Sequence, residues 1–284
     1  GENPKAAVKS KPNSSIVLGA RLVAEGEAEA LVSAGNTGAC VLACAQAFEK
    51  LPHVPRTALA AVYPTQVRRG RRDDPFSLIL DVGANLAVSA DALVAFAYMG
   101  SAYAACISDN PRPRIALLSN GSEPYKGLPP IVEANRRLSA DPRINFVGNI
   151  EGIDLPRGVA DVIVTDGFTG NIALKTAEGM TKLYTSFLKD AFSSSLSAKI
   201  GYLFIRRALN NLRQRTDPRR YNGAMLLGLN GIVVKSHGGT DSVGFANAIG
   251  VGVDMAQNGF ISKIKQDFER LKDGQNEQKK AAIS

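Results

Sequence analysis

The sequence has 284 residues, 45% of them apolar and 21% charged, a globular composition with enough chain for one large α/β domain or two smaller ones. Its formal net charge of +8 favours an acidic partner, an anionic substrate or an anionic membrane surface. Three cysteines, Cys40, Cys44 and Cys106, make no disulfide framework and point to a reducing cytoplasm. No secretory signal opens the sequence, and no apolar run reaches the roughly 20 residues that span a bilayer.

Residues 1–15 are polar and basic and read as a loop. A helix is predicted over Ile16–Glu25, then a short strand, Ala30–Ser33, ending in Ser33-Ala34-Gly35-Asn36-Thr37-Gly38. The next helix, Ala39–Leu51, is rich in small residues; Cys40 and Cys44 lie one turn apart on it and read as packing residues. His53, in a loop flanked by prolines, reads as a surface residue rather than a base. Ala58–Tyr63 is followed by a basic loop with Arg68, Arg69, Arg71 and Arg72, and by a strand, Leu78–Leu80, that ends in Asp81-Val82-Gly83-Ala84-Asn85. A long helix over Asp91–Cys106 precedes a fourth strand, Ile115–Leu118. After it come Ser119-Asn120-Gly121-Ser122-Glu123, then Lys126, then a helix opened by Pro129 and Pro130. Ile144–Val147 is a fifth strand. Val162–Val164 is another, breaking into Asp166-Gly167-Phe168-Thr169-Gly170-Asn171 before a helix with Ile172, Ala173, Thr176, Ala177, Met180 and Leu183 on one face. A long helical region follows; within it, residues 186–222 read as a basic amphipathic projection with Arg206, Asn210 and Arg213 stacked on its polar side. Ile232–Val234 is the last strand; it leads through Lys235-Ser236-His237-Gly238-Gly239-Thr240-Asp241 into a final helix, and the charged tail after Asp267 frays.

Strands alternating with helices predict an α/β fold with a mainly parallel sheet and helices on both faces. In such a sheet the loops at the carboxyl ends of the strands line one crevice, where ligands bind. Five of these loops carry Gly with Asn, Thr, Ser or Asp, and two share a Gly-x-Thr-Gly pattern, at Gly35–Gly38 and Gly167–Gly170. A strand, a Gly-rich turn and a helix N-terminus point amides and a positive dipole at an anion, so the set suits phosphate or a polar acyl group. Neither the Gly-x-x-x-x-Gly-Lys-Ser/Thr loop nor Gly-x-Gly-x-x-Gly occurs, which leaves nucleotides and NAD without their cradle. The two histidines are far apart and no acidic cluster joins them, so metal is not expected. Nucleic acid is disfavoured: there is no zinc spacing, no RNP-type motif and no Trp.

The motifs LVSAGNTGA, LDVGAN, MGSAYA, NFVGNIEG, DVIVTDGFTGNIALKTAEG and LLGLNGIVVKSHGGTD, in this order between about residues 5 and 250, resemble the PlsX phosphate acyltransferase family of bacterial phospholipid synthesis. The resemblance implies a three-layer α/β/α fold related to isocitrate and isopropylmalate dehydrogenases, one domain over residues 1–284, and a homodimer. It implies transfer of a long-chain acyl group from acyl carrier protein to inorganic phosphate, in the cytoplasm, with no cofactor or metal. Lys126 and Asn171 match the family's catalytic positions, and Gly35, Asn36, Thr37, Gly38, Asn85, Gly167, Thr169, Gly170 and His237 fall where substrate is bound. The structural alternatives are a solvated loop lysine at 126 and a helix N-cap at Asn171. The projection suits an anionic membrane, the acidic carrier protein, or a dimer interface. Departures are Leu128 where the family has Asn, Ala87 where it has an acid, and a longer, arginine-rich loop over residues 66–77. The family's first strand and its Asp-Ala-Met-Gly-Gly-Asp loop have no counterpart, so residues 1–284 are expected to be part of a longer protein. Two other classes stand as rivals: a non-catalytic phosphate- or acyl-binding relative, and a basic nucleic-acid-binding protein using the arginines at 68–72 and 206–220.

Overall fold

A computed structural model describes residues 2–52, 54–69, 74–215 and 217–266. Among the described residues eight strands form one sheet: β1 (Ala30–Ser33), β2 (Ala58–Arg69), β3 (Asp74–Leu80), β4 (Arg114–Leu118), β5 (Asn145–Ile150), β6 (Val162–Val164), β7 (Ala224–Leu227) and β8 (Ile232–Lys235). Their order across the sheet is β1-β8-β7-β2-β3-β6-β4-β5. Period-two alternation splits each central strand between two cores. Leu78, Leu80, Val162 and Val164 point to one face, where α4 (Ala90–Ser108), α5 (Pro129–Ser139) and α8 (Ser242–Gln257) bury Leu93, Phe96, Met99, Leu138 and Met255. Ile79, Ile163 and Val233 point to the other, under α2 (Ser15–Ala24), α3 (Thr37–Ala47) and the start of α6 (Gly167–Ser193). The result is three layers, helix, sheet and helix. Helix α4 is long and apolar enough to cross a membrane, yet its apolar side chains are spent on the core.

The strands do not all run one way. β3, β6, β4 and β5 are mutually parallel, as are β1 and β8, but the β2 and β7 pairings between those two groups are antiparallel. Following the pairings across, β1 and β8 run opposite to β3, β4, β5 and β6. Their carboxyl-end loops therefore open on opposite edges of the sheet, and the single crevice expected from the sequence becomes two loop clusters. The cause is β7, hidden in Ala224–Leu227 within what reads as a long helical region. It turns the chain once more before β8.

Local differences have local causes. Residues 1–15 are not all loop: α1 (Pro4–Ser10) forms because Asn3 accepts the Lys5 and Ala6 amides, Pro4 suits the first turn, and Val8 is buried. Part of the expected basic loop is strand, since β2 and β3 pair as a long antiparallel hairpin out to Arg69 and Asp74. Arg71 and Arg72, the side chains of Arg68 and Arg69, and His53 lie outside the described residues. Helices α6 and α7 (Leu196–Arg215) form a hairpin. Only Ala173, Leu174 and Ala177 of α6 pack on the sheet core, and almost every residue from 179 to 214 is exposed.

Gly100 sets the distance between α4 and the sheet, because a Cβ there would lie 2.5 Å from Val162 Cγ1. In an exposed helix Gly→Ala gains up to ~1 kcal/mol. Here the clash wins, and Gly100→Ala is expected to lower the free energy of unfolding by ~1–3 kcal/mol in a urea titration. An unchanged or higher midpoint would show that the two elements are loosely packed.

Candidate active site

Asp81, at the end of β3, is completely buried and organises one edge of the sheet. Its Oδ1 accepts the backbone amides of Leu59, Gly83 and Ala84 at 3.0–3.1 Å. Its Oδ2 accepts the Asn85 amide at 2.7 Å and Asn85 Nδ2 at 2.8 Å. Burial raises the carboxyl pKa, while the amides of Ala84, Leu59 and Asn85 pull it back down. The carboxylate thus winds residues 81–85 into a tight loop and ties that loop to β2.

Asn85 passes the constraint on. Its Nδ2 also donates to the Thr57 carbonyl at 2.6 Å, and its own carbonyl accepts the Gly167 amide at 2.7 Å, clamping the N-terminus of α6. The fit is close: a Cβ on Gly170 would lie 1.9 Å from the Asp81 carbonyl oxygen, and one on Gly167 2.5 Å from that of Asn85. These glycines let a helix press against a loop. The first-turn amides are largely spent, since Gly167 N–H goes to Asn85 and Thr169 N–H to the Asp166 carboxylate. Asp166 also takes the Thr169 hydroxyl hydrogen. The N-cap of α6 is therefore Asp166, which overturns the capping alternative for Asn171. Asn171 is exposed just past the first turn, its Cγ 3.9 Å from a Cβ built at Gly83, and its side-chain amide has no partner among the described residues.

Lys126 stands on the loop after β4, which is hydrogen-bonded directly to β6 and ends at the same edge. Asn149 holds this loop: its Nδ2 donates to the carbonyls of Glu123 at 2.9 Å and Lys126 at 3.4 Å, and its Oδ1 accepts Asn135 Nδ2 at 2.9 Å. The lysine stem crosses Gly121, and the ammonium lies 5.8 Å from the centre of the Tyr125 ring. No carboxylate among the described residues pairs with it. One edge thus carries an unspent cation on the loop after β4 and an unspent amide near the start of α6, which follows the neighbouring strand β6.

The remaining sequence candidates gather at the opposite edge. Asn36 caps α3 through the Ala39 amide at 3.0 Å, with Gly35, Thr37 and Gly38 around it. The β8 loop joins this cluster, with Ser236 N–H on the Ser33 carbonyl. His237 Nδ1 accepts the Gly239 amide at 3.1 Å, and its backbone amide goes to Asn222. Cys40 and Cys44 are buried beneath this cluster. Lys235 is buried too, its pKa lowered by desolvation and, more weakly, by Lys175 on α6, against the raising effect that negative charge on the Cys40 sulfur exerts. Sequence reasoning missed Asp81, Asn135 and Asn149 as organisers. For Asp81 the signal was present, an acid closing an apolar strand just before Val-Gly-Ala-Asn, where an Asx-type turn is favoured.

Residues 1–263 match the family described as "Fatty acid synthesis protein". The chain is 49% identical over 270 residues to the phosphate acyltransferase of Paramagnetospirillum magneticum, covering 95% of this chain and 75% of that one. It is 51% identical over 269 residues to the phosphate acyltransferase of Rhodospirillum centenum, covering 94% and 74%. Among solved structures it resembles a phosphotransacetylase from Streptococcus pyogenes, with a TM-score of 0.52 and 20% identity over 89% of this chain and 67% of the other, a likeness of fold.

Asp81→Asn would replace an acceptor of five hydrogen bonds by a group whose NH2 faces N–H donors. The variant is expected to lose ~3 kcal/mol or more of stability, seen as a lower Tm, with the mutual order of loop 81–85 and α6 lost first. A Tm within a degree of the parent would mean that the carboxylate is not what holds this edge.

Proposed function

The chain belongs to the fatty acid synthesis protein family, whose matching members are phosphate acyltransferases, and it transfers acyl groups to phosphate for phospholipid synthesis; from that premise we propose that the donor is a long-chain acyl thioester on acyl carrier protein and that Lys126 and Asn171 carry the transfer. A phosphate oxygen bonds to the thioester carbonyl carbon, the C–S bond breaks, and the carrier thiolate leaves and takes up a proton. Phosphate is substantially dianionic near neutral pH, so a strong protein base is not required. What the protein must supply is position and charge. The Lys126 ammonium offsets the charge of phosphate and of the tetrahedral intermediate, and the Asn171 amide donates to the developing oxyanion. The observation that carries this reading is that both donors are unspent and stand at the same sheet edge, after adjacent strands. Gly167, Gly170 and Asn85 build the wall behind them. The cluster of Gly35, Asn36, Thr37, Gly38 and His237, at the other edge, serves substrate binding away from the reacting carbon.

The α6–α7 hairpin keeps Leu196, Leu203 and Phe204 at 65–85% exposure, beside Lys199, Arg206 and Arg207. So much apolar surface on a basic hairpin calls for a cover. Our reading is one domain with this projection: the α6 side packs against a second copy of the chain, and the basic tip rests on the anionic face of a membrane from the cytoplasm, where the three cysteines, none in a disulfide, are at home.

With palmitoyl-carrier protein, phosphate and a hydroxylamine trap, the parent chain should yield acyl hydroxamate. Lys126→Ala and Asn171→Ala should each lower turnover about a hundredfold while staying folded; near-parental turnover in either removes that residue from the mechanism. Vesicles rich in anionic lipid should retain the protein at low salt and release it at high salt. Equal retention on neutral vesicles would contradict the membrane contact.

A further inference from the structure

A groove of about 350 Å³ runs between the second half of α5 and the sheet-edge strand β5. One end is formed by Ser122, Pro124 and Gly148, the first two from the loop that carries Lys126. Its other end is formed by Arg112, just before β4, with Asp141, Pro142 and Ile144 beside it and Ser139 between the two ends; the Asp141 carboxylate is already taken by Arg143 and Tyr98. Its volume is at the lower end of small-molecule pockets. The guanidinium of Arg112 has no partner among the described residues, although its neighbours Arg114 and Arg143 are paired with Asp161 and Asp141. β5 gains an extra residue against β4 between Phe146 and Asn149, a bulge that turns Gly148 towards the groove and sets Asn149 under the Lys126 loop. One irregularity therefore shapes the groove and places the lysine loop.

Resting on the carrier-protein reading above, we propose that this groove binds the phosphopantetheine arm of the acyl carrier protein, with its phosphodiester on Arg112 and its thioester at the Lys126 loop. Length supports it. At about 3.3 Å per residue, Ile144 to Gly148 spans roughly 13 Å. The arm, with thirteen bonds from phosphorus to sulfur, is about as long as four to five extended residues, roughly 15 Å. Chemistry supports it as well. The arm alternates amides with methylene and methyl groups and ends in an anion. The groove sets the Ser122 and Ser139 hydroxyls among Pro124, Leu138, Ile144 and Phe146, and has at one end a guanidinium without a partner among the described residues, the group best suited to phosphate oxygens.

The test uses Arg112→Glu and Ser122→Trp, two exposed positions whose change leaves the core intact. Acyl phosphate formation is measured with palmitoyl-carrier protein and with a palmitoyl thioester of N-acetylcysteamine, which lacks the phosphodiester; binding of free phosphopantetheine is measured by titration calorimetry. Arg112→Glu should raise KM for the carrier-borne substrate tenfold or more with kcat within about twofold, and should weaken phosphopantetheine binding by a similar factor. Ser122→Trp should do likewise by filling the mouth. With the short thioester Arg112→Glu should cost far less. Unchanged KM and unchanged phosphopantetheine binding in both variants, or equal losses with both thioesters, would overturn the groove assignment. A parent protein that makes no acyl phosphate from either thioester would instead overturn the activity, while the calorimetry still decides whether the groove holds the arm.

Discussion

One buried carboxylate determines the geometry of the candidate site. A fully buried, ionised carboxyl is costly unless its lone pairs are filled, and Asp81 fills them with five N–H donors from β2 and from its own loop. That requirement dictates the course of residues 81–85. The loop in turn presents the Asn85 carbonyl to α6 and leaves room for a helix only where glycines stand at 167 and 170. Asn171 is aimed as a consequence of this chain of contacts, with its own amide kept out of it. Lys126 is placed by a parallel device, Asn149 beneath its loop, so both side chains are held through backbone contacts and have no partner of their own among the described residues.

The mixed sheet divides the labour of the chain. The parallel block β3-β6-β4-β5 carries the candidate donors Lys126 and Asn171 at one edge and the Arg112 groove along its outer strand. The β1-β8 block carries a second cluster, of backbone amides and caps, at the other edge. Helix α6 crosses between them: it begins at Asp81 and brings Lys175 within electrostatic reach of Lys235. The same helix then runs out into the hairpin, so a contact made by the hairpin bears directly on the element that aims Asn171.

Much of the fold could be read from the sequence, because long apolar runs and strand–loop–helix alternation are strong periodic signals. The helical layers, the strands at 30–33, 78–80, 115–118 and 162–164, and the membership of an acyltransferase family were all legible. What escaped was non-local. Ala224–Leu227 is four residues long and becomes a strand only because β2 and β8 offer edges on both sides, and that pairing reverses the direction of β8. The α1 helix rests on one cap and one buried valine, too short for periodicity to register. The glycines of Gly167–Gly170 looked like an anion cradle, yet the same residues serve a helix that must touch a loop. Sequence composition does not distinguish the two uses; the position of Asp81 does.

The most direct measurement is a crystal structure of the protein with inorganic phosphate bound. Phosphate should lie within hydrogen-bonding distance, about 2.7–3.2 Å, of both Lys126 Nζ and the Asn171 side-chain amide, with loop 81–85 unmoved. Phosphate found only at the opposite edge, on the amides of residues 36–38 and His237 with Lys126 and Asn171 empty, would contradict the account.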